Sequence, residues 1–176
     1  MPHHQPQIYV ASLCDYNNGI LHGRWIDLEG QDKETLQAEI NAMLAESPTA
    51  KQGGAKAEEY AIHDSNDIGA VDEYESLDDV LERADLVLEY GDAFFAAMSN
   101  WPTLEEVSDA LEEGWTEADS LEDWAEELAY EIGMIAENEP RGSLHHYIDW
   151  ERVANDWKHD YSVVNYDGGL FVFHSI

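Results

Sequence analysis

The sequence predicts an α+β protein, because strand-like segments at both ends of the chain flank a series of amphipathic helical segments. Alternating or continuous apolar residues favour strands at 8–13, 21–28 and 58–63, and again at 161–166 and 170–174. Between these two groups, apolar residues recur at helical spacing, often behind a Ser or Thr that suits a helix N-cap. The predicted order is a sheet with one helix, then acidic helices, then helices with a β-hairpin.

The first part of the chain is predicted to hold three strands and one helix. Asn17-Asn18-Gly19 is typical of a turn between the first two strands. The helix is expected to end before Pro48, and residues 49–57 are predicted to form a loop. Its apolar residues follow the spacing i, i+4, i+7, i+8: Leu36, Ile40, Met43 and Leu44.

The middle of the chain predicts four helices. Ser76 is a candidate N-cap for the first, and a capping box at Thr103 and Glu106 begins the third. Ser120 is a candidate N-cap for the fourth, while Gly114 and Gly133 are expected to end the third and fourth. The predicted apolar faces, in chain order, are Leu77, Val80, Leu81, Ala84 and Leu88; Phe94, Ala97 and Met98; Leu104, Val107 and Leu111; and Leu121, Trp124, Ala125, Leu128 and Ile132.

The last part predicts one more helix and a hairpin. Asp149 is expected to cap a helix that runs to Trp157, and Asp167-Gly168-Gly169 predicts the turn between the last two strands. Among the six Trp residues, Trp25, Trp124 and Trp157 are expected to be buried.

The dominant feature of the composition is a net charge of -31, which is placed unevenly. The net charge is -7 over residues 1–71, -22 over 72–139 and -2 over 140–176, and Arg83 is the one base in the middle segment. This charge excludes nucleic acid and anionic membrane as direct partners and favours a partner with a positive surface. Self-repulsion also favours an elongated shape.

The stretch at 110–133 holds nine carboxylates and no Lys or Arg, yet it keeps apolar residues at helical spacing. An ordinary exposed helix places both charge signs at i and i+4, which contributes a few tenths of a kcal/mol per pair. We therefore predict that the acids of the middle segment form a partner-binding surface. The predicted residues are Asp72, Glu73, Glu75, Asp78, Asp79, Glu82, Asp85, Glu89, Asp92, Glu105, Glu106, Asp109, Glu112, Glu113, Glu117, Asp119, Glu122, Asp123, Glu126, Glu127 and Glu131.

This charge is comparable to that of duplex DNA, which carries one charge per about 1.7 Å of axis. At that density, 22 charges correspond to about 37 Å of duplex. One fully helical stretch of this kind would carry one charge per about 4 Å, so two or three such helices side by side would match DNA.

Several blocks, in order, resemble the ArdA family of antirestriction proteins: IYVASLCDYNNGILHGRWIDL, EEYAIHD, EIGMIAENEP, YIDWERVANDW and DYSVVNYDGGLFVF. The resemblance implies an elongated, curved row of three small domains, which we place at 1–64, 65–102 and 103–176. It implies a mimic of bent B-DNA, carried by a mobile element, that occupies the DNA groove of Type I restriction-modification enzymes without catalysis. The target is their methyltransferase core of specificity and modification subunits.

The resemblance also implies a head-to-head homodimer. In the family, the segment that matches residues near 126–140 is called the antirestriction motif and is associated with dimerisation. Carried over to this chain, the motif residues are Glu127, Leu128, Glu131, Ile132 and Gly133.

Other chemistry has weaker support in the sequence, and no cofactor, metal or catalytic residue is predicted. The acids and Asn66 between Asp64 and Glu75 partly match a calcium loop, but Ile68 stands where a ligand is expected. His145-His146 with His159 or His174 lacks the spacing of a known metal motif. Carboxylate pairs such as Glu126-Glu127 could suggest glycoside hydrolysis, although pairs arise by chance among 39 acids.

Two further functions remain as alternatives to a DNA mimic: a halophilic globular protein and an acidic chaperone for basic proteins. A halophilic protein would spread its acids over all segments, and an acidic chaperone usually relies on a disordered acidic run. We expect a cytoplasmic protein, because Cys14 is the only cysteine and neither a secretory signal nor a membrane span is evident.

Overall fold

A computed structural model describes residues 4–53, 56–135 and 147–174. The contacts group the chain into two compact units, Met1–Gly91 (unit 1) and Asp92–Ile176 (unit 2). Each unit has a three-stranded antiparallel sheet with helices, which confirms the predicted α+β class. The division into three domains stays a prediction.

The sheet of unit 1 has the strand order β2-β1-β3. The strands are β1 (Gln7–Ser12), β2 (Gly23–Asp27) and β3 (Tyr60–Asn66), so all three predicted strands are present. The connection from β1 to β2 contains a short helix, α1 (Leu13–Asn17), that the sequence did not predict. The Ser12 side chain caps this helix by accepting a hydrogen bond from the Asp15 N–H.

Helix α2 (Lys33–Ala45) lies where the periodicity predicted a helix, and it begins with a capping box at Asp32 and Thr35. Its apolar residues are buried in one cluster with Ile8 and Val10 of the sheet. Residues 49–57 were predicted as a loop, but the structure places helix α3 (Pro48–Lys51) there. Pro48 at the first helical position and the Ser47 cap favour this turn of helix.

Helix α4 (Leu77–Tyr90) begins at the predicted Ser76 cap, and Leu77, Val80 and Ala84 belong to the same core cluster as the sheet. Leu88 was predicted to share this face, but it is exposed, and Leu86 and Val87 are buried instead. Different residues of the helix are therefore buried in its last turn. A regular helical spacing of apolar residues does not predict this change.

In unit 2, β4 (Trp115–Ala118), β5 (Ser162–Tyr166) and β6 (Gly169–Phe173) form a sheet of order β4-β6-β5. The predicted hairpin β5-β6 is confirmed, and its two turn residues, Asp167 and Gly168, have positive φ angles of 45° and 86°. These angles are typical of a type I′ turn. Strand β4 was not predicted, because four residues between two helices are too few to establish an alternation.

Among the described residues of unit 2, four α-helices accompany this sheet: α5 (Asp92–Met98), α6 (Leu104–Glu113), α7 (Leu121–Glu131) and α8 (Trp150–Trp157), the last followed by a 3₁₀ turn, Lys158–Asp160. All four overlap predicted helices. Alternate residues of β6 have different neighbours. Leu170 and Val172 belong to the core cluster with α7 and α8, whereas Phe171 and Phe173 contact Trp115 and Trp101. Because β6 is the central strand, its side chains are buried on both faces.

The three Trp residues that were expected in the core differ in burial. Trp124 is only 1% exposed and makes edge-to-face contacts with Tyr161 and Trp157, whose own side chain is half-buried. The prediction for Trp25 was wrong, because its side chain is 45% exposed. Trp25 alternates with Ile26 along β2, and Ile26 is the residue that points into the core.

A buried carboxylate joins the short helices of unit 1. Asp15 is fully buried, and its Oδ1 accepts a hydrogen bond of 2.9 Å from the Thr49 N–H. Burial alone would raise the pKa of Asp15, but the bond from the Thr49 N–H and the nearby hydroxyl groups of Ser12, Ser47 and Thr49 outweigh it and hold the pKa well below its ordinary range. Asp15 therefore stays charged in the folded protein.

We expect Asp15→Asn to lower the free energy of unfolding of unit 1 by about 1–3 kcal/mol at neutral pH, because buried donors lose an ionised acceptor. Since the folded pKa is depressed, the stabilisation is complete above the unfolded pKa of about 3.9 and is lost as the pH falls through the folded value. Urea unfolding of both proteins between neutral and acidic pH measures this. The exposed Asp27→Asn is the control, and a difference that does not shrink below about pH 4 would contradict the assignment.

Candidate partner-binding surface

The acidic segment folds into capped helices whose first turns hold paired acids. The hydroxyl of Ser76 caps α4, Thr103 caps α6 and Ser120 caps α7, as predicted. Acids in a first turn interact favourably with the positive end of the helix dipole. The paired acids are Asp78 and Asp79 in α4, Glu105 and Glu106 in α6, and Glu122 and Asp123 in α7. Part of the acidic excess therefore stabilises the helices that carry it.

The predicted surface residues are distributed over both units, with eight in unit 1 and thirteen in unit 2. Eighteen of the twenty-one are exposed, and the other three, Glu75, Asp92 and Glu126, are half-buried. The apolar residues of the same helices, such as Val107, Leu111 and Trp124, are buried. The folded core of each unit thus holds the carboxylates outward.

Among the described residues of unit 1, two of the predicted surface acids have cationic partners. The Arg83 Nε donates to Glu75 Oε1 at 2.6 Å, and both side chains are mostly buried. Glu75 also accepts a hydrogen bond from the Asp72 N–H. Asp78 pairs with Lys33 at the surface. Glu75 is therefore neutralised within the fold and is a poor member of the predicted surface.

In unit 2 the acids stand in close rows without intervening bases, since residues 84–140 contain no Lys or Arg. Helix α6 carries five carboxylates between Glu105 and Glu113, and α7 carries five between Glu122 and Glu131. At a rise of 1.5 Å per residue, each row has about one charge per 3 Å. Because β4 separates the two helices, the rows are shorter and denser than those of one continuous helix over 110–133.

Acidic residues in and after the edge strand β4 of unit 2 extend this surface. Between β4 and α7 lies a groove of about 530 Å³ that is lined by five carboxylates, with Ala118 and Tyr130. The lining acids are Glu117, Asp119, Asp123, Glu126 and Glu127. The structure brings these five predicted residues together on one side of unit 2, which the sequence could not show without β4.

The residues that the resemblance assigns to the antirestriction motif lie at the end of α7. Gly133 has a φ of 74°, and the Met134 N–H bonds to the Ala129 carbonyl, so the helix ends where the sequence predicted. Ile132 was expected on the packed face, but it is 57% exposed because the helix ends before it. Leu128 and Ile132 line a groove of about 350 Å³ with Trp157, Asp160, Tyr161 and His174. The last four come from distant segments that sequence reasoning did not connect with the motif.

Within the ranges that the structure describes, no group of three or more His, Cys, Asp or Glu side chains is arranged to hold a metal ion. Asp64 and Asn66 of the calcium-like segment lie on β3, and Glu75 is engaged by Arg83. His145 and His146 lie outside the described residues.

Among the described helices, none combines the length and apolar character needed to cross a membrane.

Comparison with known proteins supports the resemblance. The family model of the antirestriction protein ArdA matches residues 8–172, which is nearly the whole chain and includes both units. No match is found among curated proteins. Proteins of this family counter restriction enzymes, and the acidic helices described above fall within the matched range. The chain therefore belongs to the ArdA family of antirestriction proteins.

Proposed function

We propose that this protein inhibits Type I restriction-modification enzymes as a DNA mimic. Its exposed carboxylates occupy the DNA-binding groove of the methyltransferase core, formed by the specificity and modification subunits, and no reaction is catalysed. The family assignment supports antirestriction, and the arrangement of charge supports the mechanism.

The observation that carries the proposal is the density of carboxylates on α6 and α7. One charge per about 3 Å is close to the phosphate spacing of 3.4 Å along one DNA strand. Like charges at i and i+4, such as Glu122 and Glu126, destabilise a helix by a few tenths of a kcal/mol. This cost is repeated along both helices, so a binding role explains it better than solubility does.

The absence of catalysis is supported by the family assignment and by the distribution of these acids over many exposed positions. The predicted surface acids are exposed or half-buried, and Glu75 is paired with Arg83. The two alternative functions are not supported. A halophilic protein would spread its acids evenly, but the charge of this chain is concentrated in its middle segment. A disordered acidic chaperone is not supported either, because the acids lie on capped helices.

The direct test is a titration of a purified Type I methyltransferase core, bound to labelled duplex containing its recognition site, with this protein. We expect DNA to be displaced at near-stoichiometric protein, since mimic and DNA would compete for one groove. The same titration against a DNA-binding protein that lacks such a groove is the control. Ternary complex formation without displacement of DNA would refute the mimic.

We propose further that the protein is a homodimer that contacts its partner copy through the end of α7. The exposed Ile132, the exposed Met134 and the groove beside Leu128 support this assignment. If a second copy covers this exposed apolar cluster and the shallow groove beside it, the buried apolar surface stabilises the dimer.

We expect Ile132→Asp to raise the dimer dissociation constant at least tenfold, because burying an Ile side chain is worth about 1.5–3 kcal/mol and 1.4 kcal/mol is a factor of ten. Sedimentation equilibrium measures this. Leu21→Asp, at a residue 85% exposed in unit 1, is the matched control. Unchanged dimerisation in Ile132→Asp would place the interface elsewhere.

A further inference from the structure

The sheet of unit 1 presents an aromatic pair, the half-buried Tyr9 and the exposed Trp25, on the face that does not pack against α2. Tyr9 of β1 is paired with Trp25 of β2, and their ring centroids lie 5.5 Å apart. Ile8, Val10 and Ile26 point to the other face and are buried in the core. An indole that is 45% exposed on a sheet face offers a flat surface to a partner.

Two exposed carboxylates lie beside this pair. Asp64 of β3 is paired with Tyr9 on its other side, at a β-bulge whose extra residue is His63. Asp27 follows Trp25 by two positions on β2 and so shares its face. We call Tyr9, Trp25, Asp27 and Asp64 the aromatic–acid face.

Most cations of unit 1 are paired with carboxylates away from this face. Arg24 pairs with Glu46 at 3.1 Å, Lys56 with Glu58 at 2.9 Å and Arg83 with Glu75 at 2.6 Å. Lys33 pairs with Asp78. Four of the five Lys and Arg residues of the unit thus bind carboxylates other than Asp27 and Asp64. The aromatic–acid face therefore carries negative charge that these four cations do not balance.

From this geometry we infer that the aromatic–acid face binds an arginine side chain presented by a partner protein. A guanidinium is planar, so it stacks on an indole or phenol ring while its N–H groups donate to a neighbouring carboxylate. A lysine ammonium is more strongly hydrated and stacks less well. The negative field around the face repels nucleic acid and anionic lipid.

This face lies outside the carboxylate rows of α6 and α7, so the inference goes beyond DNA mimicry. Carboxylates in those rows can also favour arginine over lysine through paired hydrogen bonds. The aromatic–acid face adds stacking of the guanidinium on its aromatic rings. Selectivity for arginine that is read at Trp25, and that falls when the indole is removed, is therefore its signature.

The test uses the full chain and two probes of equal charge, an acetylated tetra-arginine peptide and its tetra-lysine counterpart. Two-dimensional NMR follows the Trp25 indole N–H, which is assigned by its absence in Trp25→Phe. We expect the arginine peptide to shift this resonance with about fivefold higher affinity than the lysine peptide, which corresponds to about 1 kcal/mol.

Trp25→Leu and Asp64→Asn should each reduce this preference, measured by calorimetry, whereas Leu21→Ala in the same unit should leave it intact. A variant with neutralised α6 and α7 should also keep the preference while losing enzyme inhibition, which separates this inference from the proposed function. Equal effects of both peptides on Trp25, or a preference that is undiminished in Trp25→Leu, would overturn it. A Trp25 resonance that moves on dilution alone would assign the face to a second copy and overturn it as well.

Discussion

Neutralising eight acids of α6 and α7 together is expected to release the target enzyme and to weaken inhibition by about a thousandfold. Exposed ion pairs are worth up to about 1 kcal/mol each, so eight of them at about half that value contribute about 4 kcal/mol, and 1.4 kcal/mol is tenfold. Glu106 and Asp123 are retained because they bond to Thr103 and Ser120 at the helix caps. The eight changed residues are Glu105, Asp109, Glu112, Glu113, Glu122, Glu126, Glu127 and Glu131.

Each of these changes alone should weaken inhibition by less than about tenfold, because the interaction is distributed over many partly exposed groups. Glu113→Gln and Glu127→Gln are suitable single variants, since both side chains are exposed. The measurement is the competition titration against labelled DNA, with circular dichroism to verify folding.

The matched control neutralises eight exposed acids outside the predicted surface. These are Glu29, Glu34, Glu46, Glu58, Glu59, Glu151, Asp156 and Asp167. Both multiple variants have the same net charge, and they differ in where the charge was removed. The control also loses the surface ion pairs of Glu46 with Arg24 and of Glu58 with Lys56, which are worth about 0–1 kcal/mol each. Equal loss of inhibition would show that overall charge decides binding. A single substitution that abolishes inhibition in a folded protein would instead indicate a localised site.

The helices of this fold could be predicted because local chemistry defines them. Ser76, Thr103 and Ser120 each accept a hydrogen bond from the N–H three residues later, and apolar residues at helical spacing follow. The short elements could not be predicted in the same way. Strand β4 exists through its pairing with β6, which is more than fifty residues away in the chain. Helix α3 is stabilised by a bond from Thr49 to the distant Asp15.

For the candidate surface too, features that depend on local sequence could be predicted, whereas features that depend on contacts between distant residues could not. That acids would point outward follows from amphipathic spacing alone, and the exposure of eighteen of them agrees. The neutralisation of Glu75 by Arg83 and the grouping of Glu117 with Glu126 depend on tertiary structure. Trp25 was assigned to the core because the Trp residues mostly follow a core periodicity, but the strand register places it on the open face of the sheet.

Trp124→Ala is expected to abolish inhibition although it leaves the net charge of -31 unchanged. Trp124 is 1% exposed and packs against Tyr161, Trp157 and the residues of β6. Removing a buried Trp side chain costs about 3–5 kcal/mol, because the cavity is only partly refilled. For a unit of this size, that lowers the melting temperature by at least about 12 °C.

Inhibition is then measured at a temperature between the two melting points, where unit 2 is folded in the wild type and unfolded in the variant. Trp25→Ala is the control for stability, since a half-exposed side chain on a sheet face contributes much less. The unfolded variant keeps every carboxylate but loses the rows that α6 and α7 hold at about one charge per 3 Å. If such a chain still displaced DNA from the enzyme, charge without geometry would suffice, and the mimic would need no fold.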